Sequence, residues 1–343
     1  MTREFHQIPE TDPTQLLRLR DSIYAADLLI AAVAWLDFFS WLSGNPSDLD
    51  QICSSLGLAR RPADVMLTLF VAMGLVRKVH GKYYPSDRAT EHLVKGAPWD
   101  LRPYYESMKE RPICKDMLQV LKTGKPANWS SKAVGVDWNR AMRRASFARD
   151  FISAMDSRGA YLAPIMARTL NCSAYRALLD IGGGSGIYAC AVLALNRRMK
   201  ATVVEKPPVD KVARWSIAQK GMQHWIAVLG RDMFDELPHG FDIHLFSNVL
   251  HDWDEKSIGL LLKNSFAALS PGGMVAIHDA HLNQKKTGPL LVAEYSVLLM
   301  YSTEGRCYSI AEIRDILDET GFEHTEVAQT AARRSLITAR KPR

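Results

Sequence analysis

The run His244–Glu255, HLFSNVLHDWDE, passes from an apolar stretch into imidazole, carboxylate and indole side chains. His251 stands at the change. Imidazole, with an ordinary pKa near 6.5, suits the removal of a proton from a hydroxyl near neutral pH. A histidine that merely ends a buried strand looks the same in sequence, so its companions decide between the two readings. The other stretch with chemical content is LLDIGGGSG, where Gly182, Gly184 and Gly186 alternate after Asp180 and Ile181. Alternate glycines let a backbone turn tightly and approach a ligand without Cβ interference. Glu205 lies nineteen residues after Gly186, at the tip of the next apolar run. A carboxylate there is placed to accept two hydrogen bonds from a ribose diol. The spacing is G-x-G-x-G after an acid, not the G-x-G-x-x-G of dinucleotide folds, which disfavours a nicotinamide cofactor. Tight strand-to-helix packing accounts for a lone glycine motif. It does not account for the coincidence with Glu205, with Arg231, Asp232 and Met233, and with the SPGG turn further on.

The elements that must position these residues follow from texture. From Arg176 onward, strand and helix alternate: ALLDI, ATVVE, WIAVLG, FDIHLFS and GMVAIHD read as strands. Alternation of this kind predicts an α/β fold, a parallel sheet covered by helices on both faces. His251 and the glycine loop then fall at the carboxyl edge, where open sheets of this class bind ligands. The last stretch reads as a helix and two strands that pair as a hairpin at the sheet edge.

Before about Gly96 the chain reads helical. LLRLRDSIYAADLLIAAVAWLDFFSWL carries apolar residues at spacings of three and four and then over most of the circumference, predicting one long buried helix. A second copy of the chain is its expected cover, hence a homodimer. DLDQICSSLGLARRPADVMLTLFVAMGLVRKVHGKYYPS then gives helix, turn, helix and hairpin, the winged-helix order, with Ser47 or Asp48 as helix cap. Arg60, Arg61, Arg77 and Lys78 suit phosphate contacts, so a DNA-binding regulator is the rival reading. The second helix, ADVMLTLFVAM, has almost no side chain able to read bases, and nucleic acid is not the expected partner. Between about Pro98 and Asn171 come the turn-rich GKPANWSSKAVGVDW and the basic run NRAMRRASFARDFISAMDSRGA. Phe147, Phe151 and Met155 form a stripe spaced by four, ordinarily core and here also a candidate acceptor surface.

The chain has 343 residues, 47% hydrophobic and 23% charged, the composition of a folded protein with two domains or one large domain and an appendage. LLIAAVAWLDFF is cut by Asp37 and too short to span a bilayer, and the first residues lack a signal-peptide core, so no membrane partner and a cytoplasmic location are expected. Cys53, Cys114, Cys172, Cys190 and Cys307 form no CxxC pair, which argues against a zinc cage or a disulfide framework. A net charge of +6 favours an anionic partner, among which a small acidic ligand is one.

Taken together, LLDIGGGSG, VVEKP, GRDMF, NVLHDWDE and LSPGGMVAIHD resemble the class I S-adenosylmethionine-dependent methyltransferases. The likeness is greatest to the small-molecule O-methyltransferases, which include the plant caffeate and hydroxyindole enzymes and bacterial natural-product enzymes. It extends over essentially the whole chain, because that family also carries an N-terminal winged-helix dimerisation domain. The resemblance implies a Rossmann-like, doubly wound methyltransferase domain over 171–343, a helical winged-helix dimerisation domain over 1–100, and a helical linker over 101–170 contributing to the acceptor pocket. It implies S-adenosylmethionine as cofactor and methylation of a small hydroxylated metabolite of secondary metabolism. Gly182 and Gly184 then face the methionine portion, Glu205 the ribose, and Asp232 with Met233 the adenine, and Asp180 is counted among the cofactor-binding residues. Ser247 stands where relatives often have a basic residue. Asp279 matches the acid that orients the catalytic histidine, while the Gly-x-Glu-Arg-Thr loop is replaced by Gly305–Ser309, with Cys307 at the acid's place and Glu304 as its candidate substitute.

That departure, with the extra imidazoles of His278 and His281, opens a second chemistry. His251, Asp252, Asp279 and His281 as ligands of a divalent metal would permit methylation at the β-carbon of a 2-oxo acid. Arg143, Arg144, Arg149 and Arg306 are candidates to hold its carboxylate, and Asp252 and Arg306 to contact the acceptor in either chemistry.

Overall fold

The computed structural model describes residues 5–127 and 144–343. In chain order the elements are α1 (Thr14–Asp21), α2 (Ala25–Ala34), α3 (Phe38–Gly44), α4 (Leu49–Leu56), α5 (Arg60–Ala72), β1 (Val76–Val79), β2 (Lys82–Pro85), α6 (Asp87–Leu93), α7 (Arg102–Glu106) and α8 (Pro112–Thr123). They continue with α9 (Ala145–Thr169), β3 (Ala177–Ile181), α10 (Ile187–Leu195), β4 (Lys200–Glu205), α11 (Val209–Gln219), β5 (Ile226–Gly230), β6 (Ile243–Ser247), α12 (Glu255–Ala268), β7 (Met274–Asp279), α13 (Leu290–Ser302), α14 (Ile310–Thr320), β8 (Glu323–Gln329) and β9 (Ser335–Arg340).

One compact unit comprises Arg18–Gly135 and Leu282–Ser309. The single long helix expected near the N-terminus is three helices. It breaks at 22–24 and at 35–37, where Asp37 takes a left-handed φ of 45° and accepts a 2.6 Å hydrogen bond from the Ser40 hydroxyl. A left-handed residue cannot continue a right-handed helix, and the course bends by 57°. The apolar circumference of α2 is buried against α7, α8 and α13 of its own unit, so a second copy is not needed to cover it. The apolar side chains left exposed are others, among them Leu19 on α1 and Ile23 just after it.

The helix, turn, helix and hairpin expected from the sequence are present. Asp48 caps α4 in a reciprocal box with Gln51, its carboxylate accepting from the Gln51 amide at 2.9 Å. α5 carries Pro62 in its first turn and buries Val65, Met66, Leu67, Leu69 and Phe70. Arg61 donates to the carbonyls of Gly124 and Gly305, each at 2.7 Å, and Arg60 pairs with Asp50. α5 thus builds the core of its own unit. Among the described residues no single helix is long and apolar enough to cross a membrane.

The other unit comprises Met1–Leu17, Val136–His281 and Ile310–Arg343. Its seven-stranded sheet runs β5-β4-β3-β6-β7-β9-β8. The first five strands are parallel, and β9 and β8 form the antiparallel hairpin at the edge. β6 and β7 are buried along their whole length, as strands covered on both faces must be. Strand order, not chain direction, reverses between β3 and β6, since β4 and β5 build outward on one side of β3 and β6 and β7 on the other; such a switch point is where sheets of this class bind ligands. α9 runs 25 residues and packs closely on α10: a Cβ on Gly159 would lie 2.7 Å from Cγ2 of Ile187.

These units cut the chain differently from the expected divisions at 100 and 170. Residues 282–309 leave the sheet unit to place α13 against α5, and residues 1–17 join the sheet unit. Strand-and-helix alternation identifies the elements of a sheet but not an excursion of the chain away from it.

Candidate active site

β6 ends at Ser247 and β7 at Asp279, with Ser247 opposite His278 in the register. A 3-10 turn, Leu250–Asp252, carries His251 beyond the end of β6. The two adjacent strand ends therefore deliver the imidazole and the carboxylate to one place. His251 Nδ1 lies 2.5 Å from Asp279 Oδ1, with His251 5% and Asp279 3% exposed. Burial opposes charge on His251, but Asp279 and Asp252 outweigh it and raise its pKa above the usual value. Burial likewise opposes the charge of Asp279, yet His251 holds it well below the usual carboxylate range. An Nδ1–H donated to Asp279 leaves the basic lone pair on Nε2. Asp252 Oδ1 is 3.7 Å from that Nε2, on a side chain 44% exposed.

The neighbouring imidazoles are structural. Burial pushes His278 down to about 3 and His281 to about 4, so both are neutral. His278 Nε2 is 3.0 Å from Thr330 Oγ1, and His281 Nδ1 is 2.8 Å from Ser335 Oγ. Among the described residues no three His, Cys, Asp or Glu side chains are arranged to hold a metal ion. His251, Asp252, Asp279 and His281, the ligand set that the carbon-methylation reading requires, are not arranged as such a group.

At the neighbouring strand ends, Gly182, Gly184 and Gly186 take φ of 66°, 56° and 74°, which L side chains rarely adopt. Gly183 is required for another reason: a Cβ there would lie 2.5 Å from Cγ of Asp180. Asp180 is fully buried, and neither carboxylate oxygen has a partner within hydrogen-bonding distance. Burial pushes its pKa up to about 7; the Ala189 amide, near the carboxylate but outside good hydrogen-bond geometry, lowers it slightly, and Glu205 adds to the rise. Burial likewise raises Glu205 to about 7, although its Oε1 accepts from the Gly184 amide at 2.9 Å. Met233 packs over the loop, its sulfur 3.5 Å from where a Gly182 Cβ would stand. Asp232 Oδ1 accepts from the Phe234 amide at 3.1 Å. The Ser247 hydroxyl is buried without a partner.

Orphaned carboxylate oxygens beneath a loop stripped of Cβ atoms, with a second acid at the adjacent strand end, fit a cationic amino acid joined to a ribose. The ammonium end suits Asp180, the diol Glu205, and a flat ring the space beside Met233. Two further side chains belong here that sequence reading missed. Phe234 and Trp253 meet edge to face with ring centroids 4.7 Å apart, following Met233 and Asp252 respectively. The indole in HDWD was the available signal.

The residues expected at the acceptor are distributed unevenly. Phe147 and Phe151 pack on the small cluster of Ala148, Ile152 and Val209, and Ile152 Cδ1 comes within 3.8 Å of a Cβ at Gly184. Met155 Sδ is 3.5 Å from Arg158 Nη2. Arg158, absent from the sequence-based candidates, opposes the positive charge of His251 and acts on Asp252 and His278. Arg144 and Arg149 are exposed, and Arg143 lies outside the described residues with most of GKPANWSSKAVGVDW. Arg306 belongs to the helical unit, where it is buried beside Asp64 and stacked over Tyr308 at 4.3 Å. Glu304, in the same unit, is exposed and acts on Arg61. Cys307 is buried, its amide donating to the Ser296 hydroxyl at 3.0 Å.

Residues 115–323 match the model of the O-methyltransferase domain family. The chain belongs to this family. It is accordingly an S-adenosylmethionine-dependent methyltransferase with the Rossmann-like fold expected from its motifs. The methyltransferase is 29% identical over 324 residues to the 3-hydroxy-5-methyl-1-naphthoate 3-O-methyltransferase of Streptomyces sahachiroi, covering 93% of this chain and 92% of that one. It is 28% identical to the tetracenomycin polyketide synthesis 8-O-methyl transferase of Streptomyces glaucescens, covering 96% and 97%. Among solved structures, an O-methyltransferase family 2 protein from Planctomyces limnophilus, in complex with apigenin, superimposes with a TM-score of 0.89. It is 30% identical and covers 99% of both chains.

Proposed function

We propose that the methyltransferase methylates a hydroxyl group on a small aromatic metabolite, with His251 as the general base that Asp279 orients. The observation that carries this reading is the buried His251–Asp279 pair, 2.5 Å apart, at the same sheet edge as the glycine loop and Glu205. Bound S-adenosylmethionine supplies an electrophilic methyl group on a sulfonium. The protein's own part is to hold the acceptor hydroxyl near His251 Nε2 and to remove its proton, since a neutral phenol is a poor nucleophile. Asp279 fixes the tautomer with Nδ1–H and stabilises the imidazolium that forms. Asp180, Gly182, Gly184, Glu205, Asp232, Met233 and Ser247 are assigned to the cofactor. Holding the reacting atoms together supplies a large share of the acceleration.

Asp252, Met155 and Arg158 are assigned to the acceptor side of His251. Arg158 and the net charge of +6 favour an acceptor with anionic character, such as an aromatic carboxylate. A cytoplasmic homodimer completes the reading, supported by the exposed apolar side chains of Leu19 and Ile23.

The test is turnover with methyl-labelled S-adenosylmethionine and two probes, a hydroxynaphthoate and apigenin. Label recovered as a methyl ether on either supports the reading. Label fixed on a ring or side-chain carbon contradicts it.

A further inference from the structure

Three residues before His251, Asn248 leaves β6 in the left-handed region at φ 55°, a conformation Asn tolerates better than most L residues. Its polar groups are engaged on three sides. The backbone amide donates to the His278 carbonyl at 2.9 Å, Nδ2 donates to the Tyr188 hydroxyl at 2.8 Å, and Oδ1 accepts from Arg334 Nε at 3.4 Å. These partners meet one another again. The Tyr188 ring lies 5.6 Å from that of His278, His278 Nε2 is 3.0 Å from Thr330 Oγ1, and the Thr330 amide donates to the Arg334 carbonyl at 2.8 Å.

The circuit Asn248, Tyr188, His278, Thr330, Arg334 therefore closes on itself. It joins the first turn of α10, the ends of β6 and β7, and the approach to β9. Tyr188, His278 and Arg334 are buried, so water competes little for these bonds. One member, His278, immediately precedes Asp279, and another, Asn248, is the bend from which the chain reaches His251. General-base geometry is sensitive to displacements well below a bond length.

We propose that Asn248, through this closed polar circuit, is a positioning residue that holds His251 against Asp279. The proposal rests on the reading of His251 as the base, and its test does not depend on turnover. The histidine resonances of isotopically labelled protein, saturated with S-adenosylhomocysteine, are titrated by NMR, and His251 is assigned from the signal missing in His251→Ala. Asn248→Gly keeps the backbone bend and removes the side chain. Tyr188→Phe removes one hydroxyl. Neither alters the charged groups that face His251, which are Asp279 on β7, Asp252 on its own turn and Arg158 on α9.

In both variants the His251 midpoint is expected to fall by at least about half a pH unit as its contact with Asp279 loosens. Turnover on whichever acceptor the wild type methylates falls about tenfold. A purely structural role would lower the melting temperature and leave the His251 midpoint where it is. An unchanged midpoint in Tyr188→Phe, or a shift confined to Asn248→Gly, overturns the proposal. If Asn248→Gly does not fold, Tyr188→Phe decides alone. Full turnover by His251→Ala would sink the base assignment while leaving the titration result standing.

Discussion

His251 is asked to do two things that burial opposes: to exist as a cation after taking a proton, and to point one nitrogen at the acceptor. Asp279 answers both, which is why its carboxylate sits 2.5 Å from Nδ1 and stays ionised despite being buried. The pH dependence follows from the sign of the shift. A base works when neutral, and a raised pKa keeps His251 protonated to higher pH, so kcat should rise with pH through a midpoint above about 6.5. Asp279→Asn removes the charge that raises it. The rising limb should then move to lower pH while the plateau drops by about 100-fold or more, because the amide neither enforces the tautomer nor balances the imidazolium. A limb that stays in place in that variant would contradict the pairing. At this scale the motifs indicated where Asp180, Glu205 and His251 stand, at the ends of adjacent strands. They were silent on Arg158 and Tyr188, which reach the same neighbourhood from helices far along the chain.

Among the elements, the loop between β3 and α10 carries the tightest constraint. The alternation of glycines was legible because positive φ demands it, but the need for Gly183 was not, since it arises from the Asp180 carboxylate folded back beneath the loop. Gly183→Ala places a methyl 2.5 Å from Asp180 Cγ, in a buried site that cannot give way. Calorimetry should show cofactor affinity reduced by at least about tenfold, with thermal stability falling by about 1–3 kcal/mol. Wild-type affinity in that variant would show that the loop is free to shift. The parallel strands, the edge hairpin and the helix-turn-helix were legible from period and turn residues. The break of the first long helix was not, because apolar periodicity runs on through Asp37 while its left-handed backbone stops the helix.

For the whole molecule, the chain interleaves two units, with residues 282–309 returning to the helical one. Texture gave the content of each unit but could not see that excursion, since α13 is as apolar as any helix of a doubly wound sheet. The case for a homodimer also changes ground. α2 is covered within its own unit, whereas Leu19 at the end of α1 and Ile23 in the turn after it are 70% and 52% exposed in that same unit. Light scattering should give twice the chain mass for the wild type, and Leu19→Glu should shift the distribution toward the monomer with little change in melting temperature. A monomeric wild type would refute that arrangement. The central claim concerns proton removal by a dedicated base, and the measurement that reaches it most directly is turnover and cofactor binding of His251→Ala. Loss of turnover by at least about 100-fold, with S-adenosylmethionine affinity within about twofold of wild type, is the predicted result. Undiminished turnover, or loss of turnover and affinity in parallel, would contradict it.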